Sequence, residues 1–216
     1  DADPDVVQLQ HTLLKRSSRV ILKLSPFLDL TYLQDRLDQI SEIHVVATAR
    51  ECREILVVLE EGKSGIPVPV KTVSFEGEDR QIYASLLKKR TTGCAFHDPL
   101  TYIYDPNVAI RKAGLYHDLC EDFGMYKISA NTHLYTSDDF RKDFPGRAFE
   151  LESVIGYHEF YRNRPVDHAS IAVRDFPDRV GAIRKKSGIR EGDECFVFGI
   201  RNHKQIPLFL VCRKKN

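Results

Sequence analysis

The sequence has no long hydrophobic run and no recognisable nucleophile motif. Hydrophobic residues make up 42% of its 216 positions, yet no apolar stretch approaches the ~20 residues that span a membrane. The first residues, Asp1-Ala2-Asp3-Pro4, contain neither the basic region nor the apolar core of a secretory signal, and we interpret the missing initiator methionine as a cut. There is no Gly-x-Ser-x-Gly elbow and no assignable Cys/His catalytic pair. These absences argue against a membrane-spanning protein, make an independent hydrolase a weak option and predict a cytoplasmic location.

Cysteine usage also predicts a cytosolic protein. The chain has five cysteines, an odd number, and no Cys-x-x-Cys pair, which predicts reduced thiols in a cytosolic protein. Cys94 with His97, and His117 with Cys120, have a spacing that zinc sites use. No turn or knuckle chemistry surrounds either pair, so we expect packing in the core or on the surface rather than zinc binding.

The net charge of +1 conceals an asymmetry along the chain. Residues 1–60 carry 7 Lys and Arg against 10 Asp and Glu, whereas residues 61–216 carry 25 against 21. Because the second part is only mildly basic, any attraction to phosphate groups must come from local clusters. Basic clusters occur at residues 88–90, 184–186 and 213–215, but each taken alone is more simply explained as a solvated helix end.

The N-terminal part is predicted to form a helix, a strand, a helix and two more strands. Asp3 and Pro4 suit a helix start, with Asp3 as the N-cap. The last two strands are joined by too few residues for a parallel crossover, so they must be antiparallel if they are adjacent. The predicted helices end near residues 17 and 40, and the predicted strands are 19–24, 42–48 and 52–60.

Residues 61–67 have the glycine, serine and proline content of a linker, and we place a domain boundary there. The part that follows is predicted to be α+β. Asp105 and Pro106 are expected to begin its first helix as N-cap and first helical residue. The predicted strands are 68–75, 101–104, 126–128, 147–153, 169–173, 195–200 and 206–211, and the predicted helices are 105–123 and 177–186.

Three segments carry a family resemblance. They are Tyr104-Asp105-Pro106-Asn107-Val108-Ala109-Ile110-Arg111-Lys112-Ala113-Gly114, Asn131-Thr132-His133-Leu134-Tyr135-Thr136-Ser137, and Phe144-Pro145-Gly146-Arg147. In this order and spacing they resemble the THUMP-like domain at the C-terminal end of certain bacterial class I S-adenosylmethionine (SAM) methyltransferases. The segment Lys23-Leu24-Ser25-Pro26-Phe27-Leu28-Asp29 is similar to the fifth-strand segment of those enzymes.

The resemblance implies an α/β plus α+β chain. Residues 1–60 would be the C-terminal half of a Rossmann-like methyltransferase sheet, and residues 66–216 an α+β THUMP-like domain that presents RNA. Class I enzymes hold SAM at a glycine-rich turn between a strand and a helix, and this sequence has no such turn. In family members that turn and the catalytic loop lie N-terminal to the segment matched here. The resemblance therefore implies SAM as the cofactor of a full-length methyltransferase, no cofactor in this chain, and no activity of this chain alone.

The candidate RNA contacts are polar and cationic residues near turns and helix ends. Asn107, Arg111 and Lys112, in the first turns of a helix, can hold a phosphate together with the N-terminal N–H groups. Arg147 follows a Pro-Gly turn and can fork onto a phosphate or stack on a base. His133 could do the same, but a lone histidine of this kind is more often a structural residue. Rings and cations interleave over residues 157–164, a composition that suits RNA or an amphipathic strand edge. The full candidate set is Asn107, Arg111, Lys112, Asn131, His133, Arg147, Arg184, Lys185 and Lys186.

The expected partners are structured RNA, with tRNA as one candidate, and the missing N-terminal methyltransferase half. An exposed sheet edge at residues 19–24 would also allow a homodimer. The alternative is a module that packs on the methyltransferase domain and stabilises it without touching nucleic acid. Convergence of the candidate cations on one face would favour RNA binding, and their scatter would favour packing.

Overall fold

The computed structural model of the chain describes residues 4–63, 67–87 and 93–215. The chain divides into two compact units, the first made of residues 1–92 and 107–116 and the second of residues 93–106 and 117–216. Within the described ranges, no helix is long and apolar enough to cross a membrane.

The first unit contains a five-stranded mixed sheet with the strand order β1-β3-β2-β4-β5. Strand β3 lies between β1 and β2 and is antiparallel to both, as expected for the closely connected pair. Strand β2 is parallel to β4, and β4 is antiparallel to β5. Its elements are α1 (Val6–Leu14), β1 (Arg19–Leu24), α2 (Leu30–Arg36), β2 (Ile40–Thr48), β3 (Cys52–Glu60), β4 (Val68–Glu76), β5 (Asp79–Leu87) and α3 (Val108–Ala113).

Both N-terminal helices of this unit begin at an aspartate. Asp5 caps α1, because its carboxylate accepts from the backbone N–H groups of Val7 and Gln8 at 3.0 and 3.3 Å. Asp3, the predicted cap, lies outside the described residues. Asp29 caps α2 in the same way. Helix α2 ends at Arg36 rather than near Ile40, which instead begins β2.

The sheet of the first unit buries one face of alternating apolar residues. Ile43, Val45 and Ala47 on β2 are fully buried, as expected for a strand whose side chains alternate between two faces. Helix α3 packs on β2 and β4. Its buried residues are Ala109, Ile110 and Ala113.

The compact units divide the chain at a different place from the predicted linker. Strands β4 and β5 follow that linker but belong to the same sheet as β1, β2 and β3. The parallel pairing runs from Ile43 opposite Val70 to Thr48 opposite Phe75. Gly, Ser and Pro suit a turn between strands of one sheet as well as a link between domains, so composition could not separate the two.

The second unit contains a seven-stranded sheet with the order β10-β11-β12-β9-β6-β8-β7. Strand β10 is parallel to β11, and the remaining neighbours are antiparallel, including the predicted β11–β12 hairpin. Its elements are β6 (Tyr102–Pro106), α4 (Tyr116–Phe123), β7 (Tyr126–Lys127), β8 (Tyr135–Ser137), β9 (Gly146–Gly156), α5 (Tyr157–Asn163), β10 (Ser170–Arg174), α6 (Val180–Ser187), β11 (Cys195–Arg201) and β12 (Pro207–Lys215).

The single helix predicted over residues 105–123 is wrong. Asp105 and Pro106 belong to β6, and Asn107 is the N-cap of α3, with its side-chain oxygen accepting from the Ile110 N–H at 3.1 Å. Gly114 ends α3 in a left-handed conformation with φ 69°, which glycine adopts without steric cost. The apolar stripe that suggested one helix therefore belongs to two.

Two apolar clusters stabilise the second unit. The first includes Ile103, Phe149 and Phe198, all fully buried. In the second, Phe160 of α5 stacks on Phe209 of β12, with ring centroids 3.8 Å apart. Aromatic side chains of this size contribute much of a core's stability through the area that they bury, so the unit has a core of its own.

Candidate nucleic-acid interface

A buried carboxylate in the second unit holds two arginines. Asp105, at the end of β6, is only 2% exposed and pairs across the ladder with Arg147 on β9. The Arg147 Nη2 atom donates to Asp105 Oδ2 at 2.6 Å, and Arg174 Nη2 donates to Asp105 Oδ1 at 3.4 Å. The predicted helix-capping role of Asp105 is therefore wrong, since a buried carboxylate in a sheet needs charged partners.

The two cations of this cluster reach solvent although the carboxylate does not. The Arg147 side chain is 42% exposed and the Arg174 side chain 26% exposed. The Arg147 guanidinium also lies 5.6 Å from the ring centroid of Phe149 and 5.9 Å from that of Phe196, a range in which cation–π attraction helps to fix it. We call these three residues, Asp105, Arg147 and Arg174, the arginine pair site.

Gly146 permits the close packing behind this site. A Cβ atom at residue 146 would lie 2.8 Å from the Cα of Pro106, and still closer to the Asp105 carbonyl oxygen. Only glycine fits where two strands approach so closely. The Pro-Gly-Arg turn predicted from the sequence is thus the start of β9, with Arg147 directed to its cross-strand carboxylate.

Asn131 and His133 lie in the loop between β7 and β8. The Asn131 amide donates to Asp175 Oδ2 at 3.5 Å, and Asp175 directly follows Arg174. His133 has a left-handed backbone, φ 50°, and a half-buried side chain. Asn131 is therefore linked through Asp175 to the chain segment that carries Arg174.

Asn107, Arg111 and Lys112 belong to the first unit, on a helix shorter than predicted. Arg111 and Lys112 lie in the last turn of α3 rather than its first turns, where cations suit the negative end of the helix dipole. The Asn107 amide donates to Gln81 Oε1 at 3.1 Å. These three residues are therefore not grouped at a helix N-terminus in the predicted way.

The basic cluster at the end of α6 is largely engaged within the fold. Arg184 donates to the carbonyl oxygens of Ile189 and Ala169 and forms an ion pair with Glu191. Lys186 binds Asp178 at 2.9 Å. Lys185 is exposed and has no ion-pair partner among the described residues.

Lys186 completes a tyrosine–aspartate cluster. The hydroxyl groups of Tyr157 and Tyr161 donate to Asp178 Oδ2 at 2.6 and 2.7 Å. Hydrogen bonds from Tyr157, Lys186 and Tyr161 lower the pKa of Asp178 to about 2, because they stabilise the charged carboxylate. Burial, together with the nearby Asp178 carboxylate, raises the pKa of Tyr161. Part of the aromatic and cationic composition at 157–164 is thus explained by packing between α5 and α6.

Six exposed cations of the second unit have no ion-pair partner among the described residues. They are Lys142, Arg162, Arg179, Lys185, Arg190 and Lys214. Arg162 lies on α5, Lys185 on α6 and Arg190 just after α6, and these two helices pack on each other. Charges not offset by carboxylates attract phosphates more effectively than paired ones, so these six are stronger candidates for a phosphate contact than Arg184 or Lys186.

Cys94 and Cys120 form a disulfide, so the prediction of reduced thiols is wrong for this pair. Their Cα atoms are 5.8 Å apart, and the Cys94 N–H donates to His117 Nδ1 at 3.2 Å. His97 instead lies against the Tyr126 ring. Cys52, Cys195 and Cys212 are free. The sequence did not indicate this pairing, because the spacing of cysteines alone does not define disulfide connectivity.

Comparisons with known proteins match parts of the chain to two family models and the whole chain to one solved structure. A ferredoxin-like domain model matches residues 102–145, and a THUMP domain-like model matches residues 146–214. The crystal structure of a putative methyltransferase from Porphyromonas gingivalis W83 has 30% sequence identity and a TM-score of 0.93 over 100% of this chain. This chain spans 56% of that protein. A search of curated proteins finds no significant match.

Asp105 and Arg174 belong to the arginine pair site, and the sequence did not suggest that they would lie together. Asp105 was obscured by an Asp-Pro pair that resembles a helix start, and Arg174 stands one residue beyond a predicted strand without any motif around it. They are brought together by tertiary structure, since Asp105 on β6 forms ion pairs with Arg147 on β9 and Arg174 on β10. The sequence signal for Arg147, a Pro-Gly-Arg turn, did indicate a residue of this cluster.

Proposed function

We propose that this chain is the RNA-presenting C-terminal region of a SAM-dependent RNA methyltransferase, with structured RNA such as tRNA as its ligand. The observation that carries the proposal is a match of the whole chain to a putative methyltransferase, at a TM-score of 0.93, combined with a THUMP domain-like match at residues 146–214. The catalytic half would lie in a part of the protein that this chain does not contain.

The open edge of the first sheet supports a missing half. Strand β1 is at the edge of its sheet and pairs only with β3 among the described strands. Ile21 on β1 is 62% exposed, and Phe27, three residues after β1, is 93% exposed. An open edge with apolar side chains is a site for further strand pairing, and the β1-β3-β2 order suits the end of a Rossmann-like sheet with a reversed last strand. We infer that the absent strands of that sheet cover this edge. The alternative is that β1 of a second copy of the chain pairs with it to form a homodimer.

The part of the chain that the structure describes offers no glycine-rich turn of the kind that class I enzymes use to hold SAM. Among the described residues, only one glycine lies at a junction from a strand to a helix, namely Gly156, which ends β9 and caps α5. One glycine is not the glycine-rich turn that lets a backbone approach a nucleotide. Gly62 lies in the turn after β3, and Gly188 is the C-cap of α6. We therefore assign SAM binding to the absent half and derive no step of methyl transfer from this chain.

The cations of the second unit support contact with RNA of modest strength. Arg162, Lys185 and Arg190 are exposed on or just after the α5–α6 pair, without carboxylate partners among the described residues. Each phosphate contact makes the slope of log affinity against log salt concentration steeper by roughly 0.7 to 0.9. The loss of three such contacts should therefore produce a measurably shallower slope. The ion pairs of Arg184 and Lys186 favour the alternative, a packing module, for that part of the surface.

The test is binding of bulk tRNA to this chain over a salt series. A triple variant, Arg162→Ala, Lys185→Ala and Arg190→Ala, should bind more weakly and with a shallower salt dependence than the parent. The matched control replaces three exposed cations of the first unit, Lys15, Arg16 and Lys63, and changes the net charge equally. Equal losses in both variants would indicate non-specific attraction, and no binding of the parent at low salt would favour the packing module.

A further inference from the structure

We propose that the arginine pair site binds one backbone phosphate of the RNA, with Arg147 and Arg174 as the phosphate ligands and Asp105 as their positioning residue. This inference rests on the proposed function and names the chemistry of one contact within it. It adds Asp105 and Arg174 to the interface and gives Arg147 a defined partner.

The charge balance of the site favours an anion. One guanidinium is enough to neutralise the Asp105 carboxylate, and the 2.6 Å contact of Arg147 already does so. Arg174 brings a second positive charge to the same carboxylate at 3.4 Å. Two like charges gathered at one buried group repel each other, and a phosphate between them would remove that repulsion. Asp175, the nearest acidic neighbour in sequence, accepts from Asn131 instead.

The two guanidinium groups retain donors for a ligand. An arginine has five N–H donors. Arg147 commits Nη2 to Asp105, and Arg174 commits Nη2 to Asp105 and Nη1 to the carbonyl oxygen of Val173. Within the described residues, no acceptor binds the Nε of either arginine. A phosphate with several acceptor oxygens matches this arrangement, because guanidinium and phosphate form paired hydrogen bonds.

The site is held in place before any ligand arrives. Asp105 is buried in the sheet, and the rings of Phe149 and Phe196 lie near the Arg147 guanidinium. Fixed side chains lose less conformational entropy on binding. The partial exposure of both arginines, 42% and 26%, leaves them within reach of a backbone phosphate.

Two measurements test the proposal. The first is tRNA binding over a salt series by the parent, Arg174→Ala and Arg174→Lys; both variants keep the Asp105–Arg147 pair, and circular dichroism checks their folding. We expect Arg174→Ala to bind roughly tenfold more weakly with a salt slope shallower by about 0.7 to 0.9, and Arg174→Lys to keep most of the slope but lose affinity, because lysine lacks the planar fork. The control is Arg213→Ala, which removes an arginine from a one-to-one pair with Glu152 and should leave tRNA binding nearly unchanged.

The second measurement uses inorganic phosphate as the probe. The arginine Nε–H resonances of Arg147 and Arg174, assigned with single lysine variants, should shift when phosphate is added and not when chloride is added. Unchanged tRNA affinity and slope in both Arg174 variants would overturn the proposal while leaving RNA presentation intact. If the parent binds no tRNA, the proposed function fails, and the phosphate shifts alone decide whether the site binds an anion.

Discussion

Replacing Gly146 by alanine should severely destabilise the second unit. The added Cβ would lie 2.8 Å from the Pro106 Cα, 2.6 Å from the Phe144 ring and closer still to the Asp105 carbonyl oxygen. The ring can rotate, but the two backbone atoms belong to the paired strand β6 and can move only if the ladder between β6 and β9 opens. Overpacking of this kind costs about 1 to 3 kcal/mol and sometimes more, and the backbone obstacles place this case at about 3 kcal/mol or above.

Two other glycines provide graded controls for Gly146→Ala. At Gly181, in α6, nothing lies within 4 Å of the added Cβ, so Gly181→Ala should stabilise the protein by about 0.5 to 1 kcal/mol through helix propensity and a smaller unfolded-state entropy. At Gly199 the obstacle is the Phe176 ring at 2.9 Å, a side chain that can turn away. Gly199→Ala should therefore fall between the two.

The assay is urea denaturation followed by far-ultraviolet circular dichroism. With a slope of roughly 2 kcal/mol per molar urea, Gly146→Ala should lower the midpoint by about 1.5 M, whereas Gly181→Ala should raise it slightly. A Gly146→Ala variant with the parent's midpoint would refute the close approach of β6 and β9. It would also remove the reason for a glycine beside Arg147.

Three further predictions concern the cap of α3, the disulfide and the tyrosine–aspartate cluster. Asn107→Ala removes an N-cap hydrogen bond and should cost about 1 kcal/mol, measured as a lower urea midpoint, with Asn107→Asp retaining most of the stability. The Cys94–Cys120 bridge joins residues 26 positions apart, and on the chain-entropy account its reduction should lower the free energy of unfolding by about 3.5 kcal/mol. A double serine variant should melt below the oxidised parent, at a temperature that reductant does not change. The pKa of Asp178 is lowered to about 2, so its stabilisation is present above the unfolded pKa near 4 and is lost as the pH falls towards 2. Asp178→Asn should therefore lose the most stability at about pH 6 and roughly half as much at about pH 3, where the folded-state carboxylate is still largely ionised, and equal losses at both would contradict the assignment.

Local elements of this fold could be predicted from the sequence, and their pairing could not. Strand β1 and the β11–β12 hairpin follow from runs of strand-forming residues bounded by turns. The structure has β1 at the predicted residues and the hairpin close to them, with β12 continuing to Lys215 beyond its predicted end. The parallel pairing of β2 with β4 depends on contacts across a turn that looks like a linker. Nothing local in the sequence specifies such a register, because it is set by which faces become buried together.

The candidate site was predictable only in part, for a similar reason. Arg147 was a candidate because it follows Pro145-Gly146, a pair that is typical of turns, although in the structure Gly146 is the first residue of β9. Asp105 was misassigned because Asp-Pro favours both helix starts and strand ends that turn, and the choice between them depends on the cross-strand arginine. Gly114 was missed as a helix end because the apolar pattern continued past it into α4.

The seven-stranded sheet extends across the junction between the two family-model matches. That junction falls between residues 145 and 146, yet β6 on one side pairs along five residues with β9 on the other, from Tyr102 opposite Glu150 to Pro106 opposite Gly146. A chain divided there would leave two unpaired edges and would separate Arg147 from its carboxylate.

The covalent path adds a second constraint, since the chain leaves the second unit after residue 106 and re-enters it at residue 117. Three backbone crossings therefore tie the two units, at 92/93, 106/107 and 116/117. A unit connected in this way cannot be exchanged between proteins as an independent domain. Recombination that moved residues 146–214 alone would transfer only part of the seven-stranded sheet. A transfer that preserves the architecture must carry both units.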